Sequence, residues 1–387
     1  MNQKELEIYI HIPFCIKKCS YCDFLSGPAT EQTVESYMAA LFAEIGGRAK
    51  DYSDRTVTSI FIGGGTPSLL SGEQIGQLMD RIREQFAMAQ DAEITMEVNP
   101  GTASAEKLRN FYTAGINRLS IGMQSAQAEE LKNLGRIHDF EGFCQVYREA
   151  VEAGFTNINV DIMSGLPGQT LASYRDTLEK VLHLEPMPQH ISAYSLIVEE
   201  GTPFAAMAER GELPLPEEET ERAMYEETIE VLAKYGFHRY EISNYARDGY
   251  ECRHNVGYWI RRDYLGFGIG AASLIDNVRF QNEKSLGAYL AHPLESREEE
   301  QTLTVQDRME ETMFLGLRLT RGVSCVDFAE QYGRTVEEVY GEVIARNVAD
   351  GLLTVTERKE NQKKDRFLAL TKRGLDLSNY VMAQFLF

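Results

Sequence analysis

Six short apolar runs, each followed by residues with helical spacing, limit what this chain can become. The runs fall at residues 8–12, 57–62, 92–98, 118–124, 157–163 and 190–196, and that of 57–62 is rich in β-branched and aromatic residues. Helical patterns are expected at about 31–49, 71–86 and 171–184, with a further one through Leu108. Ser71 and Gln74 have the spacing of a capping box. Strands that alternate with helices in this way pair in parallel, because a parallel crossover needs a dozen or more residues. Polar and glycine-rich residues gather where the runs end, at Gly63-Gly64-Gly65-Thr66-Pro67, Asn99-Pro100-Gly101 and Gly165-Leu166-Pro167-Gly168-Gln169. Parallel α/β folds place their sites at those strand ends. The fold class predicted is α/β, a (β/α)6 partial TIM barrel with its mouth at the strand ends.

The first run leads directly into Cys15, Cys19 and Cys22, spaced C-x3-C-x2-C. Thiolate is the soft ligand that selects iron–sulfur clusters and zinc. A structural zinc site or an electron-transfer cluster takes four protein ligands, so three cysteines leave one position for something else. A zinc site completed by a distant residue, or three unrelated core cysteines, are the other readings. The glycines of 63–65 offer backbone N–H groups for close approach of a ligand. Glu97, Gln124, Arg136 and Asp161, at or near later strand ends, supply acceptors and a guanidinium for a cationic amino-acid ligand.

Six cysteines among 387 residues, with no secretory pattern in the first seven, point to metal or redox use and to the cytoplasm. Cys144, Cys252 and Cys325 stand singly and read as buried small hydrophobes. No apolar run approaches the length of a membrane span. The net charge of −20 argues against nucleic-acid binding.

Three units are expected: residues 1–235 as the barrel, 236–297 as a glycine-punctuated middle extension, and 298–387 as a C-terminal α+β domain. In the last, helical patterns at 307–317, 325–331 and 336–347 precede a hairpin with a charged tip, a winged-helix-like arrangement.

The joint motifs are specific. Tyr-x-His-Ile-Pro-Phe-Cys-x3-Cys-x2-Cys, Gly-Gly-Gly-Thr-Pro, Glu-Val-Asn-Pro, Ser-Ile-Gly-Met-Gln-Ser and Asp-Ile-Met-Ser-Gly-Leu-Pro-Gly-Gln-Thr occur in that order. From about Tyr9 through the C-terminal unit the chain resembles the oxygen-independent coproporphyrinogen III oxidase family of radical S-adenosylmethionine (SAM) proteins. The resemblance implies a [4Fe-4S] cluster on Cys15, Cys19 and Cys22, with SAM on the fourth iron. It implies SAM contacts at Tyr9, Tyr21, Gly65, Thr66, Glu97, Gln124, Arg136 and Asp161, and less strongly at Ser195. It assigns no catalytic residue.

Two departures separate the chain from the decarboxylating oxidase. That enzyme resembles C-x3-C-x2-C-x-C, whereas Phe24 stands at the position of the fourth cysteine here. The oxidase also carries a long N-terminal arm, for which a first cysteine at residue 15 leaves no room. Both features resemble the HemW branch, heme chaperones that deliver heme to respiratory proteins. The segment from His254 to Trp259 resembles the H-N-x-x-Y-W motif proposed there for heme contact, which makes His254, Tyr258 and Trp259 heme candidates. Cys252 is a second candidate ligand. The other reading is a hydrogen-bonded histidine with Tyr258 and the only tryptophan packed at a domain interface.

The function expected is a heme chaperone that binds heme, a [4Fe-4S] cluster and SAM and serves acceptor hemoproteins, including membrane-associated respiratory ones, with a homodimer compatible. The alternative is an enzyme, an oxygen-independent coproporphyrinogen III oxidase of porphyrin biosynthesis. A zinc-containing regulator that works through the C-terminal unit is a third reading.

Overall fold

The six runs form six neighbouring parallel strands, β1 (Lys4–Ile12), β2 (Arg55–Gly64), β3 (Ala87–Val98), β4 (Arg118–Gln124), β5 (Ile158–Ser164) and β6 (His190–Ser195). The structure is a computed structural model and describes residues 4–295, 297–360 and 363–386. The helices that return the chain are α1 (Glu31–Arg48), α2 (Gly72–Gln85), α3 (Ala105–Thr113), α4 (Ala128–Leu134), α5 (Phe140–Ala153) and α6 (Leu171–Leu182). Ser71 and Gln74 close the capping box of α2. β3 starts earlier than the apolar run suggests. Ala87 and Met88 already pair with β2, and the ladder then shifts register before Glu93, so polar Gln90 and Asp91 interrupt the apolar signal.

Alternation along the strands separates two environments. Leu6, Ile8, Ile10 and Ile12 of β1 are buried in the core beneath the helices. Glu7, Tyr9 and His11 take the other face, and the register aligns Ser59, Phe61, Glu93, Thr95, Glu97, Arg118, Ser120, Asn159, Asp161, His190 and Ser192 with them. A closed TIM barrel fills this space with branched apolar side chains. Here it is a polar lumen, and polar groups out of water must find partners.

The middle region joins both edges of the same sheet. After α7 (Pro203–Glu209) and α8 (Glu218–Lys234), β7 (His238–Arg239) and β8 (Asn244–Ala246) extend the β6 edge. The helix α9 (Arg253–Trp259) then crosses to the other side. There β9 (Tyr264–Phe267) adds parallel to β1, followed by antiparallel β10 (Ala272–Ile275), β11 (Val278–Asn282) and β12 (Arg297–Thr302). The glycines of this region do permit close approach: Gly268 has φ +92°, and a Cβ there would collide with the Tyr37 hydroxyl.

The C-terminal unit has its own apolar cluster, which includes Met313, Leu317, Phe328, Leu368, Val381 and Phe385. Helices Val305–Gly316, Cys325–Tyr332 and Val336–Ala349 precede the hairpin of β14 (Leu353–Glu360) and β15 (Lys363–Leu370). A short β13 (Val323–Ser324) pairs with β15, giving a winged-helix-like sheet. The charged stretch expected as the hairpin's tip, residues 356–365, instead forms the paired ends of β14 and β15, and residues 361 and 362 between them lie outside the described residues. Among the described residues no helix is long and apolar enough to cross a membrane.

Candidate cofactor site at the barrel mouth

The cysteine loop is tied down at its base and its middle. Cys15 N–H donates to the Gly27 carbonyl and Gly27 N–H to that of Pro13, both at 2.9 Å. Ser20 N–H donates to the Leu134 carbonyl and Phe204 N–H to that of Ser20, both at 3.0 Å, so the helices after β4 and β6 hold the loop over the strand ends. Phe14 is buried with its ring edge-on to Tyr37 at 5.2 Å. The three thiols are free, partly exposed, and line one cavity of about 350 Å³. Burial raises the pKa of the Cys22 thiol, and its neighbours Cys19 and Cys15 raise it further. Three thiolates are costly to gather without a cation among them, so the donor set fits a cationic metal centre. Among the described residues no three His, Cys, Asp or Glu side chains converge as for a single metal ion.

The glycine turn after β2 has a different use from the one expected. Gly64 N–H donates to Glu97 Oε2 at 3.1 Å, Gly65 N–H to the Ile12 carbonyl at 2.8 Å and Thr66 N–H to the Phe14 carbonyl at 2.7 Å. These amides are spent on Glu97 and on the cysteine loop. A Cβ at Gly65 would lie 2.7–2.9 Å from Phe14 and Ile12 backbone atoms, so glycine there lets the loop seat. Thr66 Oγ1 donates to Cys15 Sγ at 3.4 Å.

Glu97 faces the cavity with its carboxyl pushed up to about 8, first by burial and then by the nearby Asp161. Asp161 is raised by burial, although Asn159 Nδ2 at 2.7 Å and Ser120 Oγ at 3.3 Å donate to it. Gln124 ends β4 at φ +69°. Arg136 arrives from beyond the left-handed Gly135 that ends α4. Its Nη2 donates to the Gly122 carbonyl at 2.6 Å and its Nη1 lies 3.9 Å from Cys19 Sγ. Arg136 Nε is buried without a hydrogen-bond partner.

Tyr21, Gly65, Thr66, Glu97, Gln124, Arg136 and Asp161 thus line the cavity with the three cysteines. Tyr9 is not part of that lining: its hydroxyl pairs with His11 Nδ1 at 3.0 Å and its ring lies 6.5 Å from Phe61. Ser195 instead meets Ser164 Oγ at 3.2 Å. Lys17, Lys18, Phe24, Arg118, Tyr194 and Asn255 line the cavity and had not been singled out as its contacts. Strand parity signals Arg118 and Tyr194, and Asn255 belongs to the H-N-x-x-Y-W segment.

The heme candidates lie elsewhere. His254 is 1% exposed, with Nδ1 2.8 Å from Ser59 Oγ and Nε2 3.0 Å from the Tyr258 hydroxyl. Burial lowers its pKa to about 3, so the ring is neutral. Tyr258 packs edge-on against Tyr264 at 4.6 Å, and Trp259 carries the Arg318 guanidinium 4.3 Å above its ring. In this structure an iron atom reaches His254 only if one of those hydrogen bonds breaks. Cys252 is fully buried, its thiol raised to about 12 mainly by burial and its Sγ 3.6 Å from Glu93 Oε1, so it is protonated at neutral pH.

A partial parallel barrel with three cysteines across its mouth defines a class, the radical SAM proteins. The model for the Radical SAM superfamily matches residues 9–181, and the model for the HemN C-terminal domain matches residues 303–377. The heme chaperone HemW of Bacillus subtilis is 39% identical over 385 residues, 98% of each chain. That of Lactococcus lactis is 36% identical over 387 residues, 100% of this chain and 98% of its own. The chain belongs to the HemW heme chaperone family. Among solved structures, coproporphyrinogen III oxidase (HemN) from Escherichia coli, described as a radical SAM enzyme, is similar with a TM-score of 0.84. It is 28% identical and covers 99% of this chain and 90% of that one.

Proposed function

We infer that this protein binds heme and hands it to acceptor hemoproteins, and that it holds a [4Fe-4S] cluster and SAM at the barrel mouth. The carrying observation is the nearly full-length similarity to relatives named heme chaperones. Cys15, Cys19 and Cys22 would hold the cluster. When bound, the cluster supplies one-electron chemistry and an iron left open for SAM.

The protein's own groups bind and orient. The Arg136 guanidinium, with its unpartnered Nε, suits the SAM carboxylate. Glu97 and Asp161 suit the cationic and hydroxyl groups of the same ligand, and the Gln124 amide offers both a donor and an acceptor. A cavity of about 350 Å³ holds one ligand of this size. In this reading the protein is cytoplasmic, works as a monomer or homodimer, and serves acceptors that include membrane-associated respiratory hemoproteins.

The oxidase reading keeps support from the fold similarity to HemN. Phe24, where the oxidase has its fourth cysteine, counts against it. Anaerobic reconstitution followed by hemin titration and a coproporphyrinogen assay on the same sample separates the two. Hemin binding without turnover is expected. Turnover of coproporphyrinogen overturns the chaperone reading, and zinc in place of iron and sulfide overturns the cluster.

A further inference from the structure

Heme is a flat apolar macrocycle with two carboxylates on one edge, and its seat is not assigned by the site above. The side chains of the H-N-x-x-Y-W segment that were expected to meet it are spent on packing. The barrel mouth shows the opposite pattern. Phe24 is 59% exposed and Tyr194 40%, although proteins ordinarily bury rings of this size. Both line the cavity that the three cysteines share, and so do Lys17 and Lys18. Lys18 Nζ lies 2.9 Å from the Phe24 carbonyl, which places a cation beside that aromatic residue. In a chain of net charge −20, residues 15–25 hold two lysines and a single carboxylate, Asp23. An exposed aromatic surface edged by cations complements an apolar dianion. The cavity beneath, about 350 Å³, is filled by one SAM-sized ligand, so a macrocycle must rest on the rim above it.

We propose that heme rests on the barrel mouth as a lid over the SAM cavity, its ring against Phe24 and Tyr194 and its propionates toward Lys17 and Lys18. The proposal rests on the heme-chaperone reading and deepens it. A hold made of apolar contact and surface ion pairs is released without breaking an iron–imidazole bond, which suits a protein that gives its heme away. Coupling between the two ligands is reciprocal: heme slows SAM exchange, and bound SAM alters heme affinity by the same factor that heme alters SAM affinity.

The test uses the full chain, reconstituted anaerobically and loaded with SAM, and follows hemin binding by its absorbance. Phe24→Asp and the double variant Lys17→Glu with Lys18→Glu are expected to raise the hemin dissociation constant at least tenfold at equal iron and sulfide content. Phe24→Leu, which keeps an apolar surface, is expected to stay within about threefold of wild type. Lys234→Glu, a charge reversal at the end of α8, reads the effect of net charge alone and is expected to stay within about twofold. SAM dissociation is expected to be slower from the heme-loaded protein than from the heme-free one. Mouth variants with wild-type hemin affinity overturn the proposal, as does loss of affinity in His254→Ala alone. A wild-type protein that binds no hemin overturns the chaperone reading itself, which is a distinguishable result.

Discussion

At the scale of single residues, Glu97 is the group whose chemistry depends most on its surroundings. Burial and Asp161 hold its carboxyl at about 8, so it is mostly protonated at pH 7. Its negative charge is present only as pH rises through that value, and so is its attraction for a sulfonium or ammonium group. SAM affinity is therefore expected to increase between pH 6.5 and 9. Glu97→Gln should flatten that profile and weaken binding about tenfold at pH 9, roughly 1.4 kcal/mol, with a much smaller difference at pH 6.5. Calorimetry in buffers of different ionisation enthalpy should show proton release at pH 7 that the variant largely loses. A wild-type pH profile in the variant would remove Glu97 from the site. Position alone made Glu97 a candidate in the sequence. Its raised pKa was not legible there, because it depends first on burial and then on Asp161 two strands away.

At the scale of elements, α1 shows how one buried carboxylate joins pieces distant in sequence. Glu44 accepts from Gly268 N–H at 2.9 Å, Asn282 Nδ2 at 2.7 Å and the Tyr289 hydroxyl at 2.7 Å, and it pairs with Arg48 Nη1 at 2.7 Å. The helix is thereby fixed to the β9–β11 edge of the sheet. Glu44→Ala removes the carboxylate beside buried Arg48, which keeps its bond to Asn282 Oδ1 at 2.9 Å, and leaves several donors unpaired out of water; it is expected to cost about 3–5 kcal/mol in denaturant unfolding. A loss below about 1 kcal/mol would show that solvent reaches the pocket. The elements themselves were partly legible. Arg118–Gln124 forms a strand with the bounds expected from the sequence. β9 and β10, four residues each, are too short to display a period, and their place in the sheet depends on partners far along the chain.

For the whole molecule, α9 connects the barrel to the C-terminal unit. Its Trp259 stacks with Arg318. Just beyond it, Arg261 pairs with Glu311 at 2.8 Å, and Arg279 meets the same carboxylate at 2.7 Å. Glu311→Ala leaves the Arg261 guanidinium, 4% exposed, without its carboxylate and with the longer contact to Asn277 Oδ1 at 3.5 Å. The expected cost is again about 3–5 kcal/mol. Calorimetry should show it as a C-terminal transition that separates from that of the barrel; one unshifted transition would rule out Glu311 as the link. The sequence by itself determined what is local: the strand–helix alternation, the face on which each strand residue falls, and the spacing of three cysteines that suits a shared inorganic centre. The tertiary structure alone decided which polar groups reach the cavity. Parity and motif place Tyr9 and His254 with the site, yet strand register and α9 commit their polar atoms to His11, Ser59 and Tyr258. The cysteine loop opened as three thiols in need of a further ligand; folded over the strand ends, it also presents Phe24 and two lysines outward. Periodicity and spacing are properties of a short stretch of chain, whereas solvent exposure belongs to the packed whole.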